Sequence, residues 1–390
     1  MRASGKLHLW HYHGVLKNWL SLQNEYECFF FVADLHALTT HYEQPQNINQ
    51  LSMDMVIDWL AVGLNPNQAK IFVQSWLPEH AELHLLLSML TPLAWLERVP
   101  TYKDQQTKLS QLDLSTYGFL GYPLLQAADV LLYKGDLVPV GEDQVPHIEL
   151  MREVARRFNY LYGREAEFEQ KAELALSRLG KRNAELYKKY RKQIQQQGDM
   201  VAKDLAEALL DEQKNMALID RERLSGYLIG TNKILLPEPQ ALLTVNSKLP
   251  GLDGQKMSKS YDNTIALGED NSAIEHKIKI MPTDPARVRR TDPGEPDKCP
   301  VWALHKVYTD STVHAWVQNG CRTAGIGCLD CKRPLIEAIQ QEQTPIRERR
   351  LEYQKDPQTI RSILHDGAEI ARETARETLD EVKTVMGLKN

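Results

Sequence analysis

Three groups of side chains in the 390-residue sequence have types and spacings that could do chemistry. The first is a histidine pair, His8 and His11, in the stretch SGKLHLWHYHG at residues 4–14. Three apart, they share one face of a first helical turn. Ser4 and Gly5 ahead of them can turn the chain and cap a helix beginning near Leu7. A helix N-terminus attracts phosphate, and imidazole N–H groups add donors there. The second group is KMSKS, Lys256 to Ser260, inside GLDGQKMSKSYDN. Two ammonium groups three residues apart, with Gly254 and small serines around them, can close over a triphosphate on a loop. Such a pentapeptide standing alone reads as an exposed polar loop. Its position after a buried strand, with a histidine pair at the other end of the domain, points to a nucleotide instead.

The third group is four of the five cysteines, Cys299, Cys321, Cys328 and Cys331, spaced C-x21-C-x6-C-x2-C. In a reducing compartment clustered thiols are metal ligands rather than disulfides. The spacing does not separate zinc from iron–sulfur, because both accept four thiolates. Cys28, alone in ECFFFVAD, reads as a buried strand residue.

These groups need a scaffold, and the hydrophobic pattern describes one. ECFFFVA (27–33), KIFVQSW (70–76), DLVPVG (136–141) and KILLP (233–237) are apolar runs that suit strands of a sheet covered on both faces. Helical patterns at 48–62, 80–98 and 121–133 lie between them, predicting an α/β fold with a doubly wound parallel sheet. Residues 146–230 carry no strand signal and read as helices folding back on each other, with a break at Gly198-Asp199. They form an insertion in the α/β domain. From about 265 the chain reads as helical to its end. Asp356-Pro357 opens the last helix, with an apolar stripe of Ile360, Ile363, Leu364, Ile370, Leu379, Val382, Val385 and Met386.

Composition narrows the function classes. The net charge of −5 excludes a general polyanion binder. The basic runs KKYRK (188–192), RVRR (287–290) and RERR (347–350) read as solvated faces. No signal peptide is visible, and LHLLLSMLTPLAWL, broken by His84 and Pro92, is too short to span a membrane. A cytoplasmic protein is expected.

Two histidines plus KMSKS resemble the class I aminoacyl-tRNA synthetases, whose first element reads His-x-Gly-His. The chain is similar to the tryptophanyl-tRNA synthetases over nearly its whole length, in the blocks HYHGVLKNWL, FFFVADLHALTTHYEQP, IFVQSWLPEHAEL, GYPLLQAADVLLY, PVGEDQVPHIELMREVARRFN, LPGLDGQKMSKSYDNTI and GCRTAGIGCLDCKRPL. The resemblance implies activation of tryptophan by ATP, with Mg²⁺ on the phosphates, then transfer to tRNA(Trp) by a homodimer. It implies Lys256 and Lys259 on the departing pyrophosphate and His8 and His11 near the reacting phosphate. Ser4, Gly5, Trp10, Gly141, Asp143, Gln144, Met257 and Ser258 would surround the nucleotide, with Gln144 also near the substrate ammonium. Asp129 would accept the indole N–H, with Tyr122 and Gln126 at helical spacings of seven and three before it and His36 lining the pocket. A subset of the family carries a [4Fe–4S] cluster on nearly this cysteine spacing, which would fix loops that meet the anticodon. The implied domains are 1–145 with 231–265 as a Rossmann-like catalytic domain, 146–230 as a helical insertion and 266–390 as a helical anticodon-binding domain. Basic Arg287, Arg289, Arg290, Lys332 and Arg333 flank the cysteines and could meet RNA phosphate.

The sequence departs from the family pattern in two places. It begins at Met1-Arg2, where most of a short strand is missing, with Ala3 in place of the usual Pro. Trp10 replaces the glycine of His-x-Gly-His, adding an indole where the adenine should lie on bare backbone. These features favour an alternative reading, a catalytically impaired homologue that retains tRNA or tryptophan binding. A tyrosyl-tRNA ligase shares the Tyr-x-x-x-Gln-x-x-Asp pattern but predicts no four-cysteine block.

Overall fold

A computed structural model describes every residue except Ser4, Thr101, 103–113, Ala166, Lys214, Asn232, 244–248, Lys256, Lys259, Ser260 and Asn390. The apolar run at 27–33 folds as strand β1, Cys28–Val32, and KIFVQSW supplies β2, Ala69–Val73. They pair in parallel, with Cys28 opposite Ala69 and Val32 opposite Val73. The crossover between them holds helices Asp34–His41 and Ile48–Val62. This is the βαβ unit that aromatic and β-branched runs with an intervening helical pattern specify. Cys28, Phe30, Val32, Ile71 and Phe72 are buried, and Trp19 stacks on Phe30 at 4.3 Å. Asp34 ties the two strand ends, accepting the N–H of Leu35 and that of Ser75, both at 3.0 Å.

Residues 1–3 keep part of the strand expected to be missing. The Met1 nitrogen donates to Phe31 O at 2.7 Å, the Ala33 N–H donates to Met1 O at 2.7 Å, and Arg2 bridges Ala33 in parallel. Ala3 is buried at the position where Pro was expected.

A second two-stranded sheet pairs β3, Leu137–Val140, with β4, Gln240–Leu243. KILLP is not a strand, which corrects the expectation from its apolar run. Its backbone is satisfied by a side chain. Asn159 Oδ1 accepts the N–H groups of Leu235 at 2.8 Å and Leu236 at 3.0 Å, and its amide donates to Leu236 O at 2.7 Å. A buried amide that closes these bonds leaves the segment no need of a neighbouring strand.

The chain forms two compact units. The first comprises 1–78, 139–142 and 243–372, and the second 79–138, 143–242 and 373–390. In the first, the helix Pro357–Val385 presents Gly367 to β2. A Cβ there would stand 2.1 Å from Ile71 O, so only glycine permits this approach. Asp356 caps this helix through the N–H of Thr359 at 3.1 Å. Ile360, Leu364, Leu379 and Val382 are buried along it as expected, together with Ala368, Ala371 and Ala375, while Ile370 lies off the stripe and is exposed. The RERR run is structural rather than a solvated face. Arg350 donates to Asp58 at 2.6 Å, Arg349 to Ala61 O at 2.6 Å and Arg347 to Asn271 Oδ1 at 2.8 Å. Burial lifts Asp58 to about 6 against the pull of Arg350.

In the second unit the helical segment is broken more often than Gly198-Asp199 suggested. Its helices are Val145–Tyr162, Phe168–Ser177, Lys181–Gln197, Met200–Asp211 and Leu218–Ile229. Phe168, Leu176, Tyr187, Leu210 and Leu224 form their own core. The pattern at 80–98 is split by Thr91-Pro92 into Glu79–Ser88 and Leu93–Glu97. Among the described residues no helix is long and apolar enough to cross a membrane.

Candidate active site

The helix of the histidine turn begins two residues later than the start near Leu7 that the Ser4-Gly5 cap implied. Helix begins at Leu9 with His8 as its N-cap residue, in extended conformation. His8 N–H donates to His11 Nδ1 at 3.2 Å, and the two rings stand 3.9 Å apart between centroids. The histidines cap their own turn, which removes the need for a serine cap. Gly5 adopts φ 121, and Ser4 lies outside the described residues. The helix continues through a π turn, Tyr12–Leu16, into Lys17–Leu22. There His13 Nε2 meets Tyr308 Oη at 2.9 Å and Glu342 Oε1 at 3.0 Å, while Lys17 donates to Glu342 Oε2 at 3.2 Å. Burial would raise the Glu342 carboxyl, but His13 and Lys17 outweigh it and hold it below the ordinary range.

The turn is stitched to the segment that follows KMSKS. Leu9 N–H donates to Ile265 O at 3.1 Å, Leu267 N–H donates to Leu7 O at 2.9 Å, and His8 bridges Ala266 in antiparallel register. Leu9, Leu249, Met257 and Ile265 are buried in one apolar cluster. The histidine turn and the segment after KMSKS, far apart in sequence, are therefore neighbours in the first unit. Lys256 and Lys259 lie outside the described residues.

Asn263, which sequence reasoning did not single out, organises the loop. Its Oδ1 accepts the Ser258 N–H at 2.8 Å and its Nδ2 donates to Asp253 Oδ1 at 2.7 Å. Its backbone oxygen accepts the Leu252 N–H at 2.9 Å. The amide side chain lies against Gly251, where a Cβ would stand 2.2 Å from Nδ2. Gly251→Ala must displace Asn263 from both partners. On the expectation from the family resemblance that this loop closes on ATP, the variant should raise the KM for ATP roughly tenfold with the KM for tryptophan unchanged, measured by pyrophosphate exchange.

The Trp10 indole lies along its own helix. It packs over Gly14, whose Cβ position is 3.6 Å from Trp10 Cε2, and against the cluster that holds Leu9 and Met257. Its ring meets His11 edge-on at 5.4 Å. An i, i+4 glycine gives the indole a flat seat.

The remaining expected residues divide between the units. His36, buried on the helix after β1, and Gly141 belong to the first. Tyr122, Gln126, Asp129, Asp143 and Gln144 belong to the second. Tyr122 and Asp129 are buried on helix Tyr117–Leu131, Gln126 is half-buried, and Gln144 Nε2 donates to Asp143 at 3.0 Å. Three imidazoles around this helix were missed. His147 meets Tyr122 at a tilt with ring centroids 5.6 Å apart, His84 lies against Gly121, and His80 bonds Asp129. The i, i+4 histidines of PEHAELH were the available signal.

Cys299, Cys321, Cys328 and Cys331 line one cavity of about 20 Å³, with Asp284 and Arg287. Burial first, then the other three cysteines, pushes the Cys331 thiol up to about 12. His305 Nε2 lies 3.5 Å from Cys331 Sγ, and Arg287 Nη1 lies 3.9 Å from Cys321 Sγ. Arg287 and Lys332 are buried, which corrects their reading as RNA contacts. Arg287 donates to Ile326 O at 2.6 Å, and Lys332 donates to Lys279 O at 2.8 Å and Met281 O at 2.5 Å. Arg289, Arg290 and Arg333 are exposed. Among the described residues no three His, Cys, Asp or Glu side chains are grouped so as to hold a single metal ion.

The family model described as tRNA synthetases class I (W and Y) matches residues 1–185 and 227–342. The unmatched residues between fall in the helical segment of the second unit. A tryptophan–tRNA ligase of Ralstonia nicotianae is 62% identical over 388 residues, spanning 100% of this chain and 97% of its own. One from Thermotoga maritima is 43% identical over 390 residues, spanning 100% and 98%. A solved tryptophanyl-tRNA synthetase of Campylobacter jejuni, complexed with ADP and tryptophan, is similar at TM-score 0.75 and 25% identity, over 100% of this chain and 98% of that one.

Proposed function

We propose that this chain, which belongs to the tRNA synthetases class I (W and Y), is a tryptophan–tRNA ligase. End-to-end similarity to proteins of that name carries the choice of tryptophan. The Tyr122, Gln126 and Asp129 set alone would also admit tyrosine. The reaction is attack of the ionised tryptophan carboxylate on the α-phosphate of ATP, with Mg²⁺ on the phosphates, giving tryptophanyl-adenylate and pyrophosphate. Transfer to tRNA(Trp) follows. The carboxylate needs no general base, so positioning and charge stabilisation supply the rate. Lys256 and Lys259 neutralise the leaving pyrophosphate, and His8 and His11 contact the nucleotide near the scissile bond. Gly5, Gly141, Met257 and Ser258 complete the nucleotide site within the first unit. Asp129 accepts the indole N–H.

Four thiols lining one cavity support the reading that they hold a [4Fe–4S] cluster. A cubane takes one thiolate on each iron, which asks for four sulfurs around a void rather than four on one point. The four thiols line such a void, with Arg287 and Lys332 buried beside it. When bound, the cluster would be structural, fixing the loops of a helical anticodon-binding region at 266–390. The enzyme acts in the cytoplasm as a homodimer.

ATP–pyrophosphate exchange tests the reading. Exchange should depend on tryptophan and fail with tyrosine. Tyrosine-dependent exchange would reassign the substrate. Absent exchange that returns in Trp10→Gly would favour the impaired homologue, a reading the half-buried indole at the histidine turn supports.

A further inference from the structure

Asp129 is backed by two further side chains that the adenylation chemistry does not use. His80 Nδ1 lies 2.7 Å from Asp129 Oδ1, and His80 Nε2 lies 2.8 Å from Tyr133 Oη. All three belong to the second unit. His80 is fully buried and Asp129 is 4% exposed. Tyr133 follows Asp129 by one helical turn, and helix Glu79–Ser88 supplies His80.

The proton inventory of this row admits one neutral-imidazole arrangement. An ionised carboxylate only accepts, so His80 Nδ1–H must donate to Oδ1. The imidazole then offers a lone pair at Nε2, and the Tyr133 hydroxyl donates to it. Every proton points toward Asp129. His80 and Asp129 are buried, so the bond between them is expensive to break, while Tyr133 is half-buried. The carboxylate is therefore fixed in rotation, with Oδ1 committed to His80.

That fixation bears on substrate choice. A carboxylate free to turn accepts equally from an indole N–H or a phenol O–H, because both are donors. A carboxylate held in one orientation rewards only the donor that arrives at its position and direction. We propose that His80, backed by Tyr133, is the positioning residue that makes Asp129 selective for the indole N–H. This rests on the reading of Asp129 as the indole acceptor.

The test compares tryptophan with L-3-benzothienylalanine, an isostere in which sulfur replaces the indole N–H, by pyrophosphate exchange. The measured quantity is the ratio of the two kcat/KM values, with KM for ATP and the melting temperature recorded alongside. His80→Ala is expected to narrow the ratio roughly tenfold and to raise the rate with tyrosine relative to tryptophan, with KM for ATP unchanged. His80→Asn, which keeps a donor near the Nδ1 position, should hold the ratio within about threefold of the parent. A general packing defect would not move the ratio. If Asp129→Ala narrows the ratio and His80→Ala leaves it intact, the positioning role is wrong. If Asp129→Ala also leaves it intact, the assignment of the indole acceptor fails instead. Should His80→Ala not fold, Tyr133→Phe decides, since it removes one oxygen atom. A narrowing of about threefold supports the row, and an unchanged ratio overturns it.

Discussion

Trp10→Gly is expected to raise kcat/KM for ATP in tryptophan-dependent exchange by roughly ten- to a hundredfold, and to lower the melting temperature of the same protein. Both signs come from one side chain. The indole adds bulk at the histidine turn, beside His8 and His11, where the proposed reading brings the nucleotide. Overpacking of a tight site costs about 1–3 kcal/mol, which sets the expected gain. The same indole packs on the apolar cluster of Leu9 and Met257 and lies flat over Gly14. Removing it forfeits that burial and places glycine in a helix, which alone costs about 1 kcal/mol. Exchange kinetics and a thermal melt on one preparation check the pair of outcomes. A variant with lower stability and unchanged KM for ATP would show that the indole is packing only.

On the proposed cluster reading, stripping the metal from the four-cysteine cavity is expected to destabilise the protein by about 3–5 kcal/mol, and to lower its melting temperature by on the order of 10 °C. Four thiolates around a dicationic cubane make a net dianion. Arg287 and Lys332 are two buried cations beside it, donating to the backbone oxygens of Arg290 and Ile326 and of Lys279 and Met281. Burial pulls the Lys332 ammonium below its ordinary range, and the neighbouring cysteines pull it back. When the metal leaves, the thiols take up protons and the cations face neutral sulfur. Chelation of anaerobically purified protein, followed by visible absorbance, iron and zinc analysis and a melt, measures the loss. Lys332→Met should narrow the gap between loaded and stripped protein. An equal gap in that variant, or protein that binds neither metal, would remove the charge-balance account.

The parts of the site that were legible in sequence are those with local spacing. His8 and His11 meet because a helical turn brings i and i+3 together, and the cysteines gather because three of the four lie within one short stretch. The crossover helix at 48–62 follows its periodicity to the residue. What stayed hidden depends on partners distant in the chain. KILLP reads as a strand until Asn159 supplies its hydrogen bonds from another helix. His80 reads as one imidazole among several until the fold carries it 49 positions along the chain to Asp129. Arg287 and Lys332 read as surface charge because composition cannot report that their ammonium and guanidinium groups are enclosed. Hydrophobic runs announce burial, whereas buried polar groups announce nothing until their partners are placed.

The stitch between Leu7–Leu9 and Ile265–Leu267 has a consequence for how the molecule is made. Loop closure over so long an intervening chain is slow and entropically costly. A ribosome delivers the amino terminus first and the residues that bond it much later. During that interval Leu7 and Leu9 have no backbone mates in the finished pattern, and the histidine turn cannot be completed. The nascent chain therefore carries an unfinished histidine turn until two thirds of its length has emerged, and premature termination before Ile265 yields fragments in which that turn has no partner segment.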